Sequence, residues 1–321
     1  MTQFDVTTTT DDVLAGLTLS GKRILVTGTS SGLGLETARA LVAHGAEVVG
    51  AVRDLARAEQ ASADVRAAAA KGGGGFSLIT LDLASLASVR AAADALVADA
   101  RPFDAVIANA AIMAVPFART VDGFEAQFAT NHLGHFTLIN RIAPLIRDGG
   151  RVVIMSSAAH RFSDVDLQDP NFETAAYDPW VAYGRSKTAN ALFAVELDRR
   201  LKDRGIRATA VHPGGADTGL KRDVSQADMD ALVARINAVA KAETGAPAFK
   251  LKTIPQAAAT SVWAAVAADG AAVGGRYCED CNVAGLAHGD TIRKGVREYA
   301  VDADTARALW EKSEELINER F

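Results

Sequence analysis

Short apolar runs alternate with longer amphipathic segments along most of the chain, and this alternation restricts the fold more than any other feature. KRILVTG at 22–28 is apolar and ends in glycine, as a buried strand does. LGLETARALVAH at 33–44 has helical spacing and stops at Gly45, and AEVVGAVR at 46–53 is strand-like again. Such an alternation predicts a parallel sheet that helices cover on both faces.

The same strand–helix unit repeats into the last third of the chain. Further strand-like runs are FSLITLDL, FDAVIANAA, GRVVIMSSA and IRATAVHPG, and helical spacing extends from Leu86 to Ala100, from about Asp122 to about Arg147 and from about Val181 to about Asp203. The sequence therefore predicts an α/β protein with a doubly wound parallel sheet, the Rossmann fold.

The predicted sheet belongs to one domain, because no linker interrupts the alternation. We assign residues 1–20 to an N-terminal extension and residues 21–321 to a single Rossmann-type domain. The strand pattern disappears at 218–255, where one or two helices with polar faces are expected to form a lid over the substrate. The part of the domain that follows this lid is expected to include a C-terminal extension.

Composition excludes several classes of protein. A formal net charge of −5 provides no basic surface for nucleic acid. Residues 1–20 have neither a basic start nor a long apolar run, and the apolar helical segment at 257–268 is too short to span a bilayer. A chain of 321 residues with two cysteines has no disulfide framework. We expect a soluble, cytoplasmic protein.

Cys278 and Cys281 have the spacing of a metal or redox pair, but a structural zinc site usually needs four ligands and the chain has no second cysteine pair. We expect free thiols in a loop near the substrate entrance and no metal. His132, His135 and His160 are expected to pack or to line a rim rather than to bind a metal.

TGTSSGLG at 27–34 connects the first predicted strand to the first predicted helix. At this point of a parallel sheet the N-terminus of the helix binds the pyrophosphate of a dinucleotide. Gly28 would make the tight turn, Gly32 would allow close backbone approach, and Gly34 would pack the helix on the strand. The G-x3-G-x-G spacing differs from the generic G-x-G-x2-G, so the cluster alone is also compatible with an ordinary turn of small residues.

Further motifs follow this cluster in the order typical of one family. They are Asn109-Ala110-Ala111, Asn131, Ser156-Ser157, Tyr183-x3-Lys187 and Pro213-Gly214. With Thr27-Gly28-x3-Gly32-x-Gly34, they make the chain resemble the short-chain dehydrogenase/reductase family from about Lys22 to Thr218. NHLGHF and WVAYGRSKTANALFA resemble the branch that contains the retinol dehydrogenases.

The spacing of Tyr183 and Lys187 suggests acid–base chemistry. A free tyrosine has a pKa of about 10, and lowering it to about 7 requires about 4 kcal/mol of preferential stabilisation of the phenolate. A lysine four residues further along the same helix face brings an ammonium close to the ring. Tyr177 has Val181 at the equivalent position and is expected to pack or to line the entrance.

The family resemblance implies a role for each motif residue. Tyr183 would exchange a proton with the substrate oxygen, and Lys187 would hold the nicotinamide ribose. Ser157 would hydrogen-bond the substrate oxygen, whereas Ser156 would point to the other face of the strand. Asn131 would keep a water and Lys187 in a proton relay. The implied cofactor-binding residues are Gly28, Ser30, Ser31, Gly32, Leu33, Gly34, Arg53, Asp82, Leu83, Asn109, Ala110, Ala111, Tyr183, Lys187, Pro213, Gly214 and Thr218.

Arg53 favours NADP(H) over NAD(H) as the cofactor. An NAD site normally has an acidic residue at the end of the second strand, where this chain has Val52 followed by Arg53. A guanidinium binds a 2′-phosphate through two charge-assisted hydrogen bonds. Asp54 could pair with Arg53 or contact the ribose itself. Asp82 is expected to contact the adenine.

The leading functional hypothesis is reversible hydride transfer between an alcohol and its ketone or aldehyde, as in an alcohol dehydrogenase or carbonyl reductase, with a small hydrophobic substrate. Two alternatives are a catalytically silent NADP-binding regulator and a nucleotide-sugar epimerase or dehydratase. A homo-oligomer is compatible with the resemblance. The sequence leaves open the physiological substrate, the direction of the reaction and its stereochemistry.

Overall fold

Eight strands form one sheet in the part of the chain that the structure, a computed structural model, describes: residues 4–220, 224, 226–244, 250–289 and 294–321. The strands are β1 (Arg23–Thr27), β2 (Glu47–Val52), β3 (Gly75–Thr80), β4 (Phe103–Ala108), β5 (Ile146–Met155), β6 (Arg207–His212), β7 (Tyr277–Glu279) and β8 (Asn282–Val283). Their order across the sheet is β3-β2-β1-β4-β5-β6-β7-β8.

All neighbouring strands from β3 to β7 pair in parallel, and only β8 pairs antiparallel to its neighbour β7. The predicted parallel sheet is thus confirmed. The chain runs outward from β1 to β3 and then returns to place β4 on the other side of β1. This reversal opens a crevice at the carboxyl ends of β1 and β4, where open α/β sheets bind ligands.

Helices cover both faces of the sheet. They are α1 (Thr10–Leu14), α2 (Gly32–Ala43), α3 (Leu55–Ala61), α4 (Ala63–Gly72), α5 (Leu86–Asp99), α6 (Ala126–Phe128), α7 (Gly134–Ile142), α8 (Pro179–Leu201), α9 (Gln226–Thr244), α10 (Ile254–Val262), α11 (Gly270–Val273) and α12 (Ala303–Ile317). Within the predicted lid at 218–255, α9 is helical as expected, whereas 221–223, 225 and 245–249 lie outside the described residues.

The side chains of β1 alternate between two hydrophobic cores, one on each face of the sheet. Leu25 belongs to the core that α5, α7, α8 and α12 cover, whereas Ile24 and Val26 belong to the core beneath α1, α2, α4 and α10. All three side chains are fully buried. Burial on both faces explains why the strand is a continuous apolar run in the sequence.

The helix predicted from about Asp122 to about Arg147 has different boundaries. It begins at Ala126, because the Glu125 carboxylate accepts hydrogen bonds from the N–H groups of Gln127 and Phe128 and caps the first turn. A π-helical turn at Ala129–Leu133 follows α6 and leads into α7. The helical region ends at Leu145, where a short 3₁₀ turn meets β5.

The C-terminal helix α12 packs against α8 and extends the core on that face. Trp310 of α12 lies edge-on to Phe136 of α7, with ring centroids 4.9 Å apart, and its ring lies 5.9 Å from that of Phe193 on α8. The Ser313 hydroxyl meets His132 Nε2 at 2.8 Å. The C-terminal helix is therefore part of the layer that positions α7 and α8.

The two cysteines are free, as predicted, and both are buried. The predicted loop is wrong for Cys278, which lies in a strand, whereas Cys281 lies in a turn. Cys278 is the central residue of β7, and Cys281 is in the tight turn before β8. Both thiols pack into the core beneath α10. Burial raises the pKa of Cys278 to about 12 and that of Cys281 to about 11, which keeps both groups protonated.

Two further findings apply to the described ranges only. None of the helices seen there has the length and apolarity required to cross a membrane. In the same ranges, no three histidine, cysteine or acidic side chains are grouped so that they could hold a metal ion.

Candidate active site

A cleft of about 300 Å³ opens at the carboxyl ends of β1, β2 and β4. Most of the predicted cofactor-binding residues line it: Gly28, Ser30, Ser31, Gly32, Leu33, Gly34, Arg53, Asp82, Leu83, Asn109, Ala110, Ala111 and Thr218. Pro213 and Gly214 follow β6 outside this lining, and Tyr183 and Lys187 lie in a separate buried cluster. The cleft thus brings together residues from six separate segments of the chain.

The glycines of the first turn are required by close packing. A Cβ atom at Gly34 would lie 2.3 Å from the backbone oxygen of Gly28 and 2.5 Å from Asn109 Nδ2. Gly28 has φ +76°, and a Cβ there would lie 2.9 Å from Ala110 Cα. A larger residue at Gly34 would push α2 away from β1 and β4, and one at Gly28 would push the end of β1 away from the end of β4. The turn can therefore hold the helix N-terminus close to the sheet.

The N-terminus of α2 points its backbone at the cleft. Ser31 is the N-cap residue, and its side chain makes no capping hydrogen bond. The first N–H groups of a helix have no intrahelical partner and carry the positive end of the helix dipole. Because α2 is a full helix of 12 residues, its N-terminus can serve as a binding site for an anionic group. The arrangement fits the pyrophosphate of a dinucleotide.

The Thr27 hydroxyl joins β1 to the end of β4. Its oxygen accepts hydrogen bonds from the N–H groups of Asn109 and Ala110, both at 2.9 Å, and Asn109 Nδ2 donates to the Thr27 carbonyl at 2.9 Å. Because the oxygen is occupied as an acceptor, the hydroxyl proton goes to His135 Nε2, also at 2.9 Å. His135 Nδ1–H then donates to the Asn131 carbonyl at 3.0 Å. This buried chain fixes the floor of the cleft.

Arg53 and Arg57 place two exposed guanidinium groups at the β2 side of the cleft. Val52 is buried at the end of β2 and offers no carboxylate to a ribose. The Asp54 carboxylate caps α3 by accepting a hydrogen bond from the backbone N–H of Arg57 at 3.0 Å. The cap turns the first turn of α3 so that Arg57 is on the same side as Arg53.

Asn131 lies in the π-helical turn before α7 and is fully buried. Its side-chain oxygen accepts a hydrogen bond from Ile112 N at 2.9 Å, and Nδ2 donates to the Ile112 carbonyl at 3.0 Å and to Ser186 Oγ at 2.9 Å. The side chain therefore ties the loop after β4 to the helix that carries Tyr183.

Ser157, Tyr183 and Lys187 meet at the carboxyl end of β5. The Ser157 side chain is near enough to the Tyr183 phenol to lower its pKa, and Lys187 Nζ lies 5.6 Å from the centroid of the Tyr183 ring. Lys187 Nζ also donates to the Met155 carbonyl at 3.0 Å. The Ser156 hydroxyl instead contacts the backbone of α8, where it donates to the Lys187 carbonyl at 2.7 Å.

Burial opposes the charged forms of both ionisable groups in this cluster. Burial raises the pKa of Tyr183 to about 12, although the hydrogen bond from Ser157 acts in the opposite direction. Burial lowers the pKa of Lys187 to about 7. Burial thus opposes the lowered pKa of Tyr183 that the spacing to Lys187 predicts. The lowering by Lys187 and a bound oxidised nicotinamide stays a prediction.

A family model described as short chain dehydrogenase matches residues 22–229. The chain belongs to the short chain dehydrogenase family. A protein of Streptomyces lividans described as a probable oxidoreductase is 43% identical over 298 residues, which cover 91% of this chain and 96% of that protein. Retinol dehydrogenase 14 of Mus musculus is 36% identical over 315 residues, which cover 93% and 86% of the two chains. The predicted family is confirmed, and this relative supports the predicted branch.

Two solved structures are similar to this short chain dehydrogenase. A crystal structure of a protein from Mycobacterium paratuberculosis has a TM-score of 0.69 and 36% identity and covers 95% of this chain and 96% of that one. A short chain dehydrogenase of Burkholderia cenocepacia, solved in complex with NADP, has a TM-score of 0.63 and 26% identity. The match covers 81% of this chain and 96% of that one.

Sequence reasoning missed three parts of the site of this short chain dehydrogenase. Arg57 lines the cleft, and its spacing of four residues from Arg53 at a helix start was an available signal. Thr27 and His135 organise the cleft floor, but no local pattern identified their contact. Tyr177 is a packing residue, as expected: its hydroxyl meets the Val115 carbonyl at 2.9 Å, and its ring packs on Phe117.

Proposed function

We propose that this short chain dehydrogenase is an NADP(H)-dependent oxidoreductase that interconverts an alcohol and its ketone or aldehyde, with Tyr183 as the general acid and base. The observation that carries the proposal is the contact of the half-buried Ser157 with the buried Tyr183, with Lys187 beneath the same ring. A hydroxyl pair of this kind suits a substrate oxygen that gains or loses a proton.

Each residue of this cluster has a part in the proposed proton transfer. Ser157 donates a hydrogen bond to the substrate oxygen and orients it toward the phenol. In the reducing direction Tyr183 gives its proton to that oxygen, and in the oxidising direction its phenolate takes the proton. Lys187 stabilises the phenolate while it exists. Asn131 holds the Ile112 loop and α8 in register, so the phenol stays in place.

The cleft beside this cluster fits a nicotinamide dinucleotide. The α2 N-terminus suits the pyrophosphate, and Asp82 and Leu83 are on the side where the adenine would lie. Lys187 would hold the nicotinamide ribose. When bound, the cofactor supplies the hydride donor or acceptor, and its oxidised ring adds a positive charge that favours the phenolate form of Tyr183.

Arg53 and Arg57 support a preference for NADP(H). Two guanidinium groups on one side of the cleft can bind a 2′-phosphate together through charge-assisted hydrogen bonds. The neutral 2′-hydroxyl of NAD(H) cannot form such bonds. Asp54 lines the same cleft, and one of its carboxylate oxygens accepts a hydrogen bond from the Arg57 N–H at the start of α3. The Burkholderia relative solved with NADP agrees with this preference.

The experiment is a panel of hydrophobic ketones, aldehydes and alcohols with NADPH, NADH and their oxidised forms, monitored by absorbance of the reduced nicotinamide. We expect turnover of at least one carbonyl compound, with kcat/KM for NADPH at least tenfold above that for NADH. Binding of NADPH without turnover of any panel member would instead favour the silent regulator. Activity on a nucleotide sugar alone would favour the epimerase or dehydratase.

The cofactor preference is tested with Arg53→Ala, Arg57→Ala and the double variant. Each single variant should lose most of the preference for NADPH, while kcat/KM with NADH stays within about twofold. Arg307→Ala, which removes an exposed arginine on α12, is the matched control. Equal use of both cofactors by the wild type, or an unchanged preference in the double variant, would contradict the assignment.

A further inference from the structure

His160 lies three residues after Ser157 and has no part in the proton transfer described above. It belongs to the 3₁₀ turn Ala158–Phe162, whose N-cap is Ser157. The whole residue is buried. Both ring nitrogens nevertheless have hydrogen-bond partners, as buried polar groups usually do.

The hydrogen bonds of the ring determine which nitrogen carries the proton. Nε2 lies 3.1 Å from the backbone N–H of Arg297, so it accepts that hydrogen bond and is unprotonated. Nδ1 therefore carries the proton and donates to the Ser157 carbonyl at 2.7 Å. Burial also lowers the pKa of His160 to about 3, so the imidazole remains neutral.

The ring connects the Ser157 turn to two distant parts of the chain. Arg297 belongs to the described segment 294–321. In the same segment, the Tyr299 hydroxyl donates to the His160 carbonyl at 2.7 Å. Tyr277 of β7 packs its ring on the imidazole at 4.9 Å, with its hydroxyl 3.3 Å from Nδ1. The C-terminal segment and β7 thus hold the ring from two sides.

The Ser157 carbonyl receives two hydrogen bonds from this one residue. The His160 backbone N–H donates at 3.0 Å, and ring Nδ1–H donates at 2.7 Å. These two bonds act on the peptide that follows Ser157 together with a third, from the Ala158 N–H to His212 Nδ1 at 3.1 Å. The Ser157 hydroxyl is set by the same turn, because it accepts a hydrogen bond from the Ala159 N–H at 3.2 Å while it contacts Tyr183.

We propose that His160 is a positioning residue: its neutral ring, held by the Arg297 backbone and Tyr277, orients the Ser157 turn so that the serine hydroxyl faces both Tyr183 and the substrate oxygen. The proposal rests on the proposed function of Ser157.

Two amide substitutions distinguish the hydrogen bond made by Nδ1 from the one made by Nε2. The side-chain amide of His160→Asn lies near the position of Nδ1 and can still donate to the Ser157 carbonyl. The amide of His160→Gln reaches the position of Nε2 and can accept from Arg297, but it leaves the Ser157 carbonyl without the second donor. His160→Ala removes both contacts. His44→Gln is the control, because its ring also contacts a backbone carbonyl, that of Ala40, far from the site.

The variants are assayed with NADPH and the best carbonyl compound of the panel. We expect kcat to fall about 10- to 100-fold in His160→Ala and His160→Gln, as displacement of a catalytic group does. His160→Asn should keep kcat within about threefold, and KM for NADPH should stay within about twofold in all variants. Melting temperatures are recorded so that only folded variants are compared.

Two results would overturn the positioning role. One is wild-type kcat in all three variants. The other is a loss of kcat in His160→Asn with wild-type kcat in His160→Gln, which would assign the function of the ring to the Arg297 contact alone. Tyr183→Phe in the same assay separates this failure from failure of the proposed function, since only the latter leaves Tyr183→Phe active.

A measurement without substrate tests the structural basis. Long-range ¹H–¹⁵N correlation spectra of the wild type at neutral pH, assigned by loss of the signal in His160→Asn, report which ring nitrogen is protonated. We expect the Nδ1–H tautomer. An Nε2–H tautomer or a charged ring would contradict the hydrogen bond to Ser157 and with it the proposal.

Discussion

Lys187→Met should make the protein more stable, although it removes a residue proposed to act in catalysis. Lys187 is buried, and its pKa is lowered from 10.5 to about 7. The unfolded chain then binds more protons than the native state at neutral pH, which costs the wild type about 4 kcal/mol of unfolding free energy at pH 7 and about 2 kcal/mol at pH 9. The cost disappears as the pH rises through 10.5, the ordinary value for lysine.

The methionine side chain suits this position because it is unbranched, apolar and of similar length. The Met155 carbonyl keeps a hydrogen bond after the substitution, since Asn190 Nδ2 also donates to it at 2.9 Å. The gain in stability at pH 7 should therefore approach the cost calculated for the lysine. Lys202→Met at the exposed end of the same helix is the control and should change stability by less than about 0.5 kcal/mol.

Equilibrium unfolding in urea, monitored by circular dichroism at pH 7 and pH 9, provides the free energies. Other titrating groups cancel in the difference between Lys187→Met and wild type, because they are common to both proteins. We expect the advantage of the variant to shrink by about 2 kcal/mol between the two pH values. An advantage that is the same at both, or a variant less stable than wild type at pH 7, would refute the reasoning.

Two further substitutions test the packing of the site. Gly34→Ala should lower the free energy of unfolding by about 1–3 kcal/mol, because the new Cβ would overlap the Gly28 carbonyl, whereas Gly285→Ala has open space and should be neutral; equal melting temperatures for the two variants would contradict this. Tyr177→Phe should reduce stability by about 1 kcal/mol through loss of its hydrogen bond to the Val115 carbonyl and leave kcat within about twofold. A tenfold drop in kcat would show that Tyr177 does more than pack.

The sheet could be predicted from the sequence because its strands are buried on both faces. Residues 46–53 were predicted as a strand, and β2 extends from Glu47 to Val52. Continuous burial produces an apolar run that local periodicity detects. The turn at 27–34 was also correctly placed at the start of α2, since its glycines follow directly from the need for close packing at that point.

The start of α6 could not be read from the sequence for a local reason. Glu125 is an unusual N-cap, and its backbone also forms an isolated β-bridge with Arg119. The π-helical turn at Ala129–Leu133 is likewise invisible to a helical period, since one extra residue per turn hardly changes the spacing of apolar positions.

The contacts behind the catalytic cluster depend on tertiary structure alone. His160 meets Arg297 and Tyr277 across sequence separations of more than a hundred residues. The net pKa of Tyr183 also reflects burial, which the spacing to Lys187 does not report. Local patterns thus identified the residues proposed to meet the substrate, whereas the groups that hold them could be recognised only in the fold.

Turnover by Tyr183→Phe, measured together with its affinity for NADPH, is the most direct test of the proposed chemistry. The substitution removes only the hydroxyl that contacts Ser157, so we expect kcat to fall at least a thousandfold, to near the limit of detection, while the dissociation constant of NADPH stays within about threefold. Wild-type turnover in Tyr183→Phe would contradict the assignment of Tyr183 as the acid and base.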